Sequence, residues 1–207
     1  MVGIALVAML VGCGSSGPRL DASEPSGTFP VEVTTAAFPA DQTLSEHTRL
    51  VIAVRNAGQK TIPDIAVTVT DPKYGSAVRA FGQNESAPTL ASRSRPVWIL
   101  DKPPGPCSGA RGYSCLQGGS GGAATAYANT WALGQLKPGH VARFEWGLTA
   151  VSAGTYKIHY VIAAGLNGKA KARLSGGGIP AGTFTVRISR QPTQSYVNNN
   201  GQIVTTK

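Results

Sequence analysis

The sequence predicts an all-β fold: a sandwich of about nine antiparallel strands, interrupted by one long Gly/Pro-rich loop. Three observations predict it. Short segments alternate apolar and polar residues, the period of two that puts every second side chain on one face. Turn residues separate these segments at the spacing of a small two-layer β domain. No segment keeps a 3.6-residue apolar period over three turns. Composition agrees. With 42% hydrophobic residues, 14% charged residues, 26 Gly and 14 Pro in 207 residues, the chain is loop-rich and globular, long enough for one domain with a real core.

The strands follow in order. Phe29 to Thr35 places Phe29, Val31 and Val33 on one face. Arg49 to Asn56 (RLVIAVRN) turns Leu50, Ile52 and Val54 inward, and Asn56-Ala57-Gly58-Gln59 is a turn. Ile65 to Thr70 turns Ile65, Val67 and Val69 inward. Pro96 to Leu100 is a continuous apolar strand, and residues 102–126 form the long excursion. Tyr127 to Leu136 returns to extended structure, and Lys137-Pro138-Gly139 is a turn. Val141 to Thr149 lines up Phe144, Trp146 and Leu148; Gly154 to Ala163 lines up Tyr156, Ile158, Tyr160 and Ile162. Lys169 to Leu174 is weaker, and Thr183 to Ser189 closes the set with Phe184, Val186 and Ile188 inward. Trp98, Trp131 and Trp146 lie in separate strands and are expected to share the core. In the tail, Tyr196-Val197 and Ile203-Val204 flank Asn198-Asn199-Asn200-Gly201, a hairpin signal in a segment that reads equally as a mobile tail.

The N-terminus has a different pattern. Val2 to Val11 is apolar and ends in Leu10-Val11-Gly12-Cys13. The run is too short to span a bilayer, which needs about 20 residues, and suits the apolar region of a signal peptide. It resembles the signal of bacterial lipoproteins. The resemblance implies export, cleavage before Cys13 and lipidation of Cys13, with the protein tethered to the membrane outside the cytoplasm; two or more acyl chains hold firmly. Residues 1–13 are then the signal, 14–28 a flexible linker, 29–191 the sandwich and 192–207 the tail. Cys107 and Cys115 remain, flanking CSGARGYSC inside the excursion. In an oxidising compartment they read as a disulfide, worth about 2.5 kcal/mol for so small a ring; free thiols are the alternative. Two thiols without a neighbouring His or second Cys pair do not complete a zinc site.

The formal net charge of +9 is unevenly placed. Residues 1–136 hold ten Lys/Arg against nine Asp/Glu; residues 137–207 hold nine against one, Glu145. If the strands at 141–149, 154–163 and 183–189 share a sheet, alternation puts Arg143, Lys157, His159 and Arg187 opposite the aromatic core, extended by Lys169, Lys171 and Arg173. Such a stripe would meet anionic lipid headgroups or wall polymer; export argues against nucleic acid. Solvated strand faces that happen to be basic are the plainer reading.

Catalytic and metal signals are sparse. His47, His140 and His159 are far apart, with no HExxH spacing. Gly118-Gly119-Ser120-Gly121-Gly122 matches GxSxG, but inside a low-complexity run without the strand and helix a nucleophile elbow needs. Gly165-Leu166-Asn167-Gly168-Lys169 has some of the residues of a phosphate loop. Ala163 stands where its first Gly belongs, and Ala170 replaces the Ser/Thr that binds magnesium; a hairpin turn is expected there. The acids Glu32, Asp41, Glu46, Asp64, Asp71, Glu85, Asp101 and Glu145 are scattered. No cofactor, metal or catalytic residue is assigned.

Two stretches carry a family resemblance. LVIAVRNAGQKTIPDIAVTV (50–69) has a V-x-N-x-G strand end turning into a second strand. TWALGQLKPGHVARFEWGLTAVSAGTYKIHYVI (130–162) has an L-x-P-G link and a G-T-Y strand start. Both resemble the cell-adhesion-related (CARDB-type) immunoglobulin-like domains of bacterial surface proteins. The resemblance covers about half of the chain and implies an extracytoplasmic, non-catalytic interaction module. The function expected is binding or scaffolding at the cell surface by a lipid-anchored, immunoglobulin-like sandwich. The rival is an accessory subunit of a transporter or cell-wall enzyme, recognising its ligand through the 102–126 loop. A small hydrolase is a third.

Overall fold

The computed structural model describes residues 23–71, 80–83, 96–105, 125, 129–192 and 194–206. Thirteen strands form among them: β1 Gly27–Ala37, β2 Asp41–Leu44, β3 His47–Asn56, β4 Ala66–Thr70, β5 Gly82–Gln83, β6 Trp98–Lys102, β7 Thr130–Ala132, β8 Val141–Ala150, β9 Gly154–Ala163, β10 Ala170–Leu174, β11 Ala181–Pro192, β12 Gln194–Val197 and β13 Ile203–Thr206. A six-stranded sheet has the order β10-β1-β3-β8-β6-β5, and a five-stranded sheet the order β2-β11-β9-β4-β7. β12 and β13 form a separate hairpin.

This strand order is that of an immunoglobulin-like sandwich. Its A-B-E-D sheet corresponds to β1-β3-β8-β6, and its G-F-C sheet to β11-β9-β4. β7 lies beside β4, and β2 lies beside β11. The chain departs from the immunoglobulin order where the strand beside β8 (β6) precedes the strand beside β4 (β7), and again where β10, between β9 and β11 in the chain, joins the edge of the first sheet beside β1. The expected nine strands all have counterparts, although the one expected over Tyr127 to Leu136 is reduced to the three residues of β7. Three of the four edge strands of the two sheets are not antiparallel to their neighbours; only β7, beside β4, is. β1 with β10, β2 with β11 and β5 with β6 pair in parallel, while the central ladders are antiparallel.

Alternation builds the core. Leu50, Ile52 and Val54 of β3 and Phe144, Trp146 and Leu148 of β8 are fully buried from the first sheet. From the second come Val67 and Val69 of β4, Ile158, Tyr160 and Ile162 of β9, and Val186 and Ile188 of β11. Each such aliphatic or aromatic side chain contributes about 1.5–3 kcal/mol of transfer free energy, so these two faces hold the layers together. The three tryptophans are all buried in this one cluster. Trp131 meets Trp146 edge-to-face at 5.4 Å, and Trp98 meets Tyr156 edge-to-face at 5.7 Å, geometries the ring quadrupoles favour.

Buried polar groups fasten the loops. Trp98 Nε1–H donates to Gln42 Oε1 (2.8 Å), and Gln42 Nε2 donates to Pro39 O (3.0 Å). Asn56 Nδ2 donates to Lys60 O and Leu136 O, both at 2.8 Å, and Gly58 N–H donates to Asn56 Oδ1 (2.9 Å). Gly58 is required there because a Cβ would lie 2.9 Å from Pro30 Cδ.

Two short connections decide the layer geometry. β8 ends at Ala150 and β9 begins at Gly154, yet the two lie in different sheets. Ser152 Oγ lies 2.9 Å from Tyr156 Oη, and Tyr156 Oη donates to Ala153 O (3.0 Å), tying this crossing. The Gly165–Lys169 segment is likewise not a hairpin turn. It carries the chain from β9 in the second sheet to β10 at the edge of the first. The tail does form a hairpin: Asn198 N–H donates to Gln202 O (2.9 Å), with Gly201 at φ +76°.

Candidate functional site

The basic residues singled out in the sequence divide between two outward faces. β8 belongs to the first sheet and β9 and β11 to the second, so Arg143 lies on one outer face and Lys157, His159 and Arg187 on the other. Lys171 and Arg173 belong to β10, in register with Thr28 and Pro30 of β1. Lys169 sits in the segment before β10, where its carbonyl accepts Gly27 N–H (3.1 Å). The single stripe is therefore corrected to two separate groups. A strand pair joined by three residues reads as a hairpin within one sheet, but here it crosses between sheets.

The outer face of the first sheet carries four ion pairs on its central strands, while Lys171 and Arg173 on its β10 edge form no salt bridge among the described residues. Arg55 pairs with Glu32 across β3 and β1. Glu145 accepts from Arg143 (3.2 Å) and faces Arg49 at 3.7 Å. Asp101 meets His47 Nδ1 (3.3 Å) and accepts from Thr149 Oγ1 (2.5 Å). Exposed pairs of this kind contribute about 0–1 kcal/mol each; their main effect is to cancel charge.

The outer face of the second sheet is built differently. Register places Thr70, His159 and Thr183 in one row across β4, β9 and β11. Lys157 stands beside Thr185 in the next row, and Thr155, Arg187 and Asp41 form the one after. Thr68 and Thr130 hydroxyls lie 2.9 Å apart on the same face. His159 Nδ1 lies 3.1 Å from Thr183 Oγ1. Lys157 and Arg187 are exposed and form no salt bridge among the described residues. Asp41, beside Arg187 in register, forms none with it. The result is a hydroxyl-lined surface carrying two cations with no salt bridge among the described residues.

A third arrangement lies at one end of the sandwich. Asn167 N–H donates to Glu24 Oε2 (2.6 Å), and Ala170 N–H donates to Glu24 Oε1 (2.7 Å). Sequence reading missed Glu24, placing it in the linker; backbone donors leave no residue-type signature. Nearby, Asp64 Oδ1 accepts Gly134 N–H (2.9 Å). Burial raises the Asp64 pKa above its ordinary value; the Gly134 bond opposes this, and the Glu24 charge adds to it. Burial also raises the Tyr160 phenol.

Among the described residues no three His, Cys, Asp or Glu side chains group as metal ligands. His47 and His140 are exposed. Cys13, Cys107, Cys115, the Gly118–Gly122 run and most of the 102–126 loop lie outside the described residues. No described helix is long and apolar enough to cross a membrane.

No protein-family model matches the chain, and no curated protein does. Among solved structures, the chain is similar to the CARDB domain of the PF1109 protein from Pyrococcus furiosus in complex with di-metal ions, at 13% identity and a TM-score of 0.41, over 79% of this chain and 94% of that one. It is similar to native alpha-2-macroglobulin from E. coli at 14% identity and a TM-score of 0.42, over 81% of this chain but 7% of that one, a small part of its length. It is also similar to PapD-like domain 7 of human CEP192, at 11% identity and a TM-score of 0.37, over 93% and 100% of the two chains. The fold assignment rests on strand order, and no activity follows from these likenesses.

Proposed function

We propose that this chain is a lipid-anchored, extracytoplasmic, non-catalytic binding module that holds a phosphate-rich polyanion against the outer face of its second sheet. One observation carries the reading: on the outer face of the second sheet, exposed cations stand among threonine hydroxyls. On the first sheet, Arg49 and Arg143 share Glu145 and Arg55 pairs with Glu32, while Lys171 and Arg173 stand apart at the β10 edge. On the second, Lys157 and Arg187 stand among Thr155, Thr183 and Thr185 with no salt bridge among the described residues. Hydroxyls that donate and cations that attract suit phosphate oxygens. Anchoring through Cys13 is the expectation from the N-terminal signal and supplies the proximity such a face needs.

The test uses full-length Cys13→Ala protein, which the anchor reading expects in the soluble fraction. Sedimentation with anionic vesicles, neutral vesicles and soluble polyglycerol phosphate separates a headgroup layer from a wall-type polymer. Binding to either polyanion at low salt, weakening as salt rises, is expected. At about 1 kcal/mol per surface cation, Lys157→Glu with Arg187→Glu weakens it at least tenfold, whereas Lys171→Glu with Arg173→Glu leaves it within about twofold. Equal binding to neutral and anionic vesicles, with none to the polymer, removes the reading.

A further inference from the structure

Residues 165–169 were set aside as a phosphate loop because two of the motif's residues are missing. The geometry shows that the segment, with Ala170 after it, nevertheless holds an anion. Both oxygens of one carboxylate are engaged by main-chain donors, Asn167 N–H at 2.6 Å and Ala170 N–H at 2.7 Å. Charge-assisted bonds of this length are the stronger kind, and successive backbone N–H groups form anion-binding concavities. The carboxylate belongs to Glu24, more than 140 residues away in sequence.

Room for it is made by Gly165. A Cβ there would lie within 2.5 Å of both Glu24 carboxylate oxygens. Gly165 does not have a left-handed φ, so its backbone does not itself require glycine; the approach of the carboxylate does. Three residues after Glu24, Gly27 N–H donates to Lys169 O (3.1 Å), and β1 then runs parallel to β10. The chain thus closes onto the loop from Glu24 onward. It does so although Asp64 stands close enough for the two carboxylates to repel. The loop donors hold Glu24 against that repulsion.

We propose that the Gly165–Ala170 segment is a carboxylate-binding site whose resident ligand is Glu24 of the same chain. The contact is a latch that fastens the segment preceding β1 to one end of the sandwich, and a free carboxylate takes the site when Glu24 is removed. The proposal does not depend on what the second sheet's outer face holds.

Amide hydrogen exchange on the full chain tests it. In the wild type, Gly27, Asn167 and Ala170 exchange slowly, and added acetate changes nothing. In Glu24→Ala the three amides exchange at least tenfold faster, and acetate restores slow exchange at Asn167 and Ala170 saturably, while chloride at the same ionic strength does not. Gly165→Ala, which keeps Glu24, gives the same acceleration, and the double variant adds nothing further. Ile52 and Phe144 report the core and stay unchanged throughout. Amides as slow in both single variants as in the wild type, acetate without effect on Glu24→Ala, or acceleration extending to Ile52 and Phe144 would each overturn the latch.

Discussion

Asn56 is a single residue on which two loops close. It is buried at the end of β3, and its amide serves Lys60 O, Leu136 O and Gly58 N–H at once. This gives a physical content to the V-x-N-x-G pattern: the Asn crosslinks, and Gly58 leaves space for Pro30. Asn56→Ala strands two acceptors and a donor, and is expected to cost about 2–3 kcal/mol, read as a lower urea midpoint with unchanged slope. Asp64 makes a pH-dependent case. Its folded pKa is raised above 3.8, chiefly by burial, so the native state binds this proton more tightly than the unfolded chain. The stabilisation from protonated Asp64 is present at low pH and is lost as pH rises through the folded pKa. Asp64→Asn keeps an oxygen for Gly134 N–H and carries no charge. It is expected to be more stable than wild type at pH 7, with the difference vanishing at pH values below about 3.8. Denaturation curves across that range decide it; a constant difference at all pH values contradicts the assignment.

Elements were legible where their inward residues are apolar. β8 and β9 alternate in burial and the sequence places their inward residues; β3 buries Leu50, Ile52 and Val54 as read, but Val51 and Ala53 on its other face are buried too. β2 was not legible, because its inward residue is Gln42, whose burial depends on Trp98 Nε1 more than fifty residues away. The division of strands between layers was also hidden. β8 and β9 alternate alike, and nothing in Val151-Ser152-Ala153 says whether the chain turns back beside itself or crosses over. That one ambiguity misplaced Arg143. The β12–β13 hairpin was one of two equal readings of the tail, with Asn198 and Gly201 as its signal. It leaves Tyr196, Val197 and Ile203 exposed by 56%, 66% and 76%, and a lone two-stranded hairpin is marginal in water. Truncation after Pro192 is therefore expected to change the unfolding free energy by no more than about 0.5 kcal/mol. A loss of several kcal/mol would place the hairpin in the folding unit.

For the whole molecule, the excess of basic residues after Lys137 was readable, but not its distribution. Pairing on the first sheet absorbs Arg143, and topology leaves Lys157 and Arg187 on the opposite side. The candidate surface therefore emerged only when strand membership was known, and the Glu24 contact only when backbone donors were placed. The same topology separates the two ends of the described sandwich. β1 and β11 both run away from the end where Glu24 is held, so Gly27 enters at one extremity and Pro192 leaves at the other. A pull applied between them acts along the strands. It loads the β1–β3 and β9–β11 ladders in shear, where rungs give way together rather than unzipping singly. Resistance to such traction is a matter of unfolding rate more than of equilibrium, and this architecture suits a body moored on one side while its opposite side is tugged.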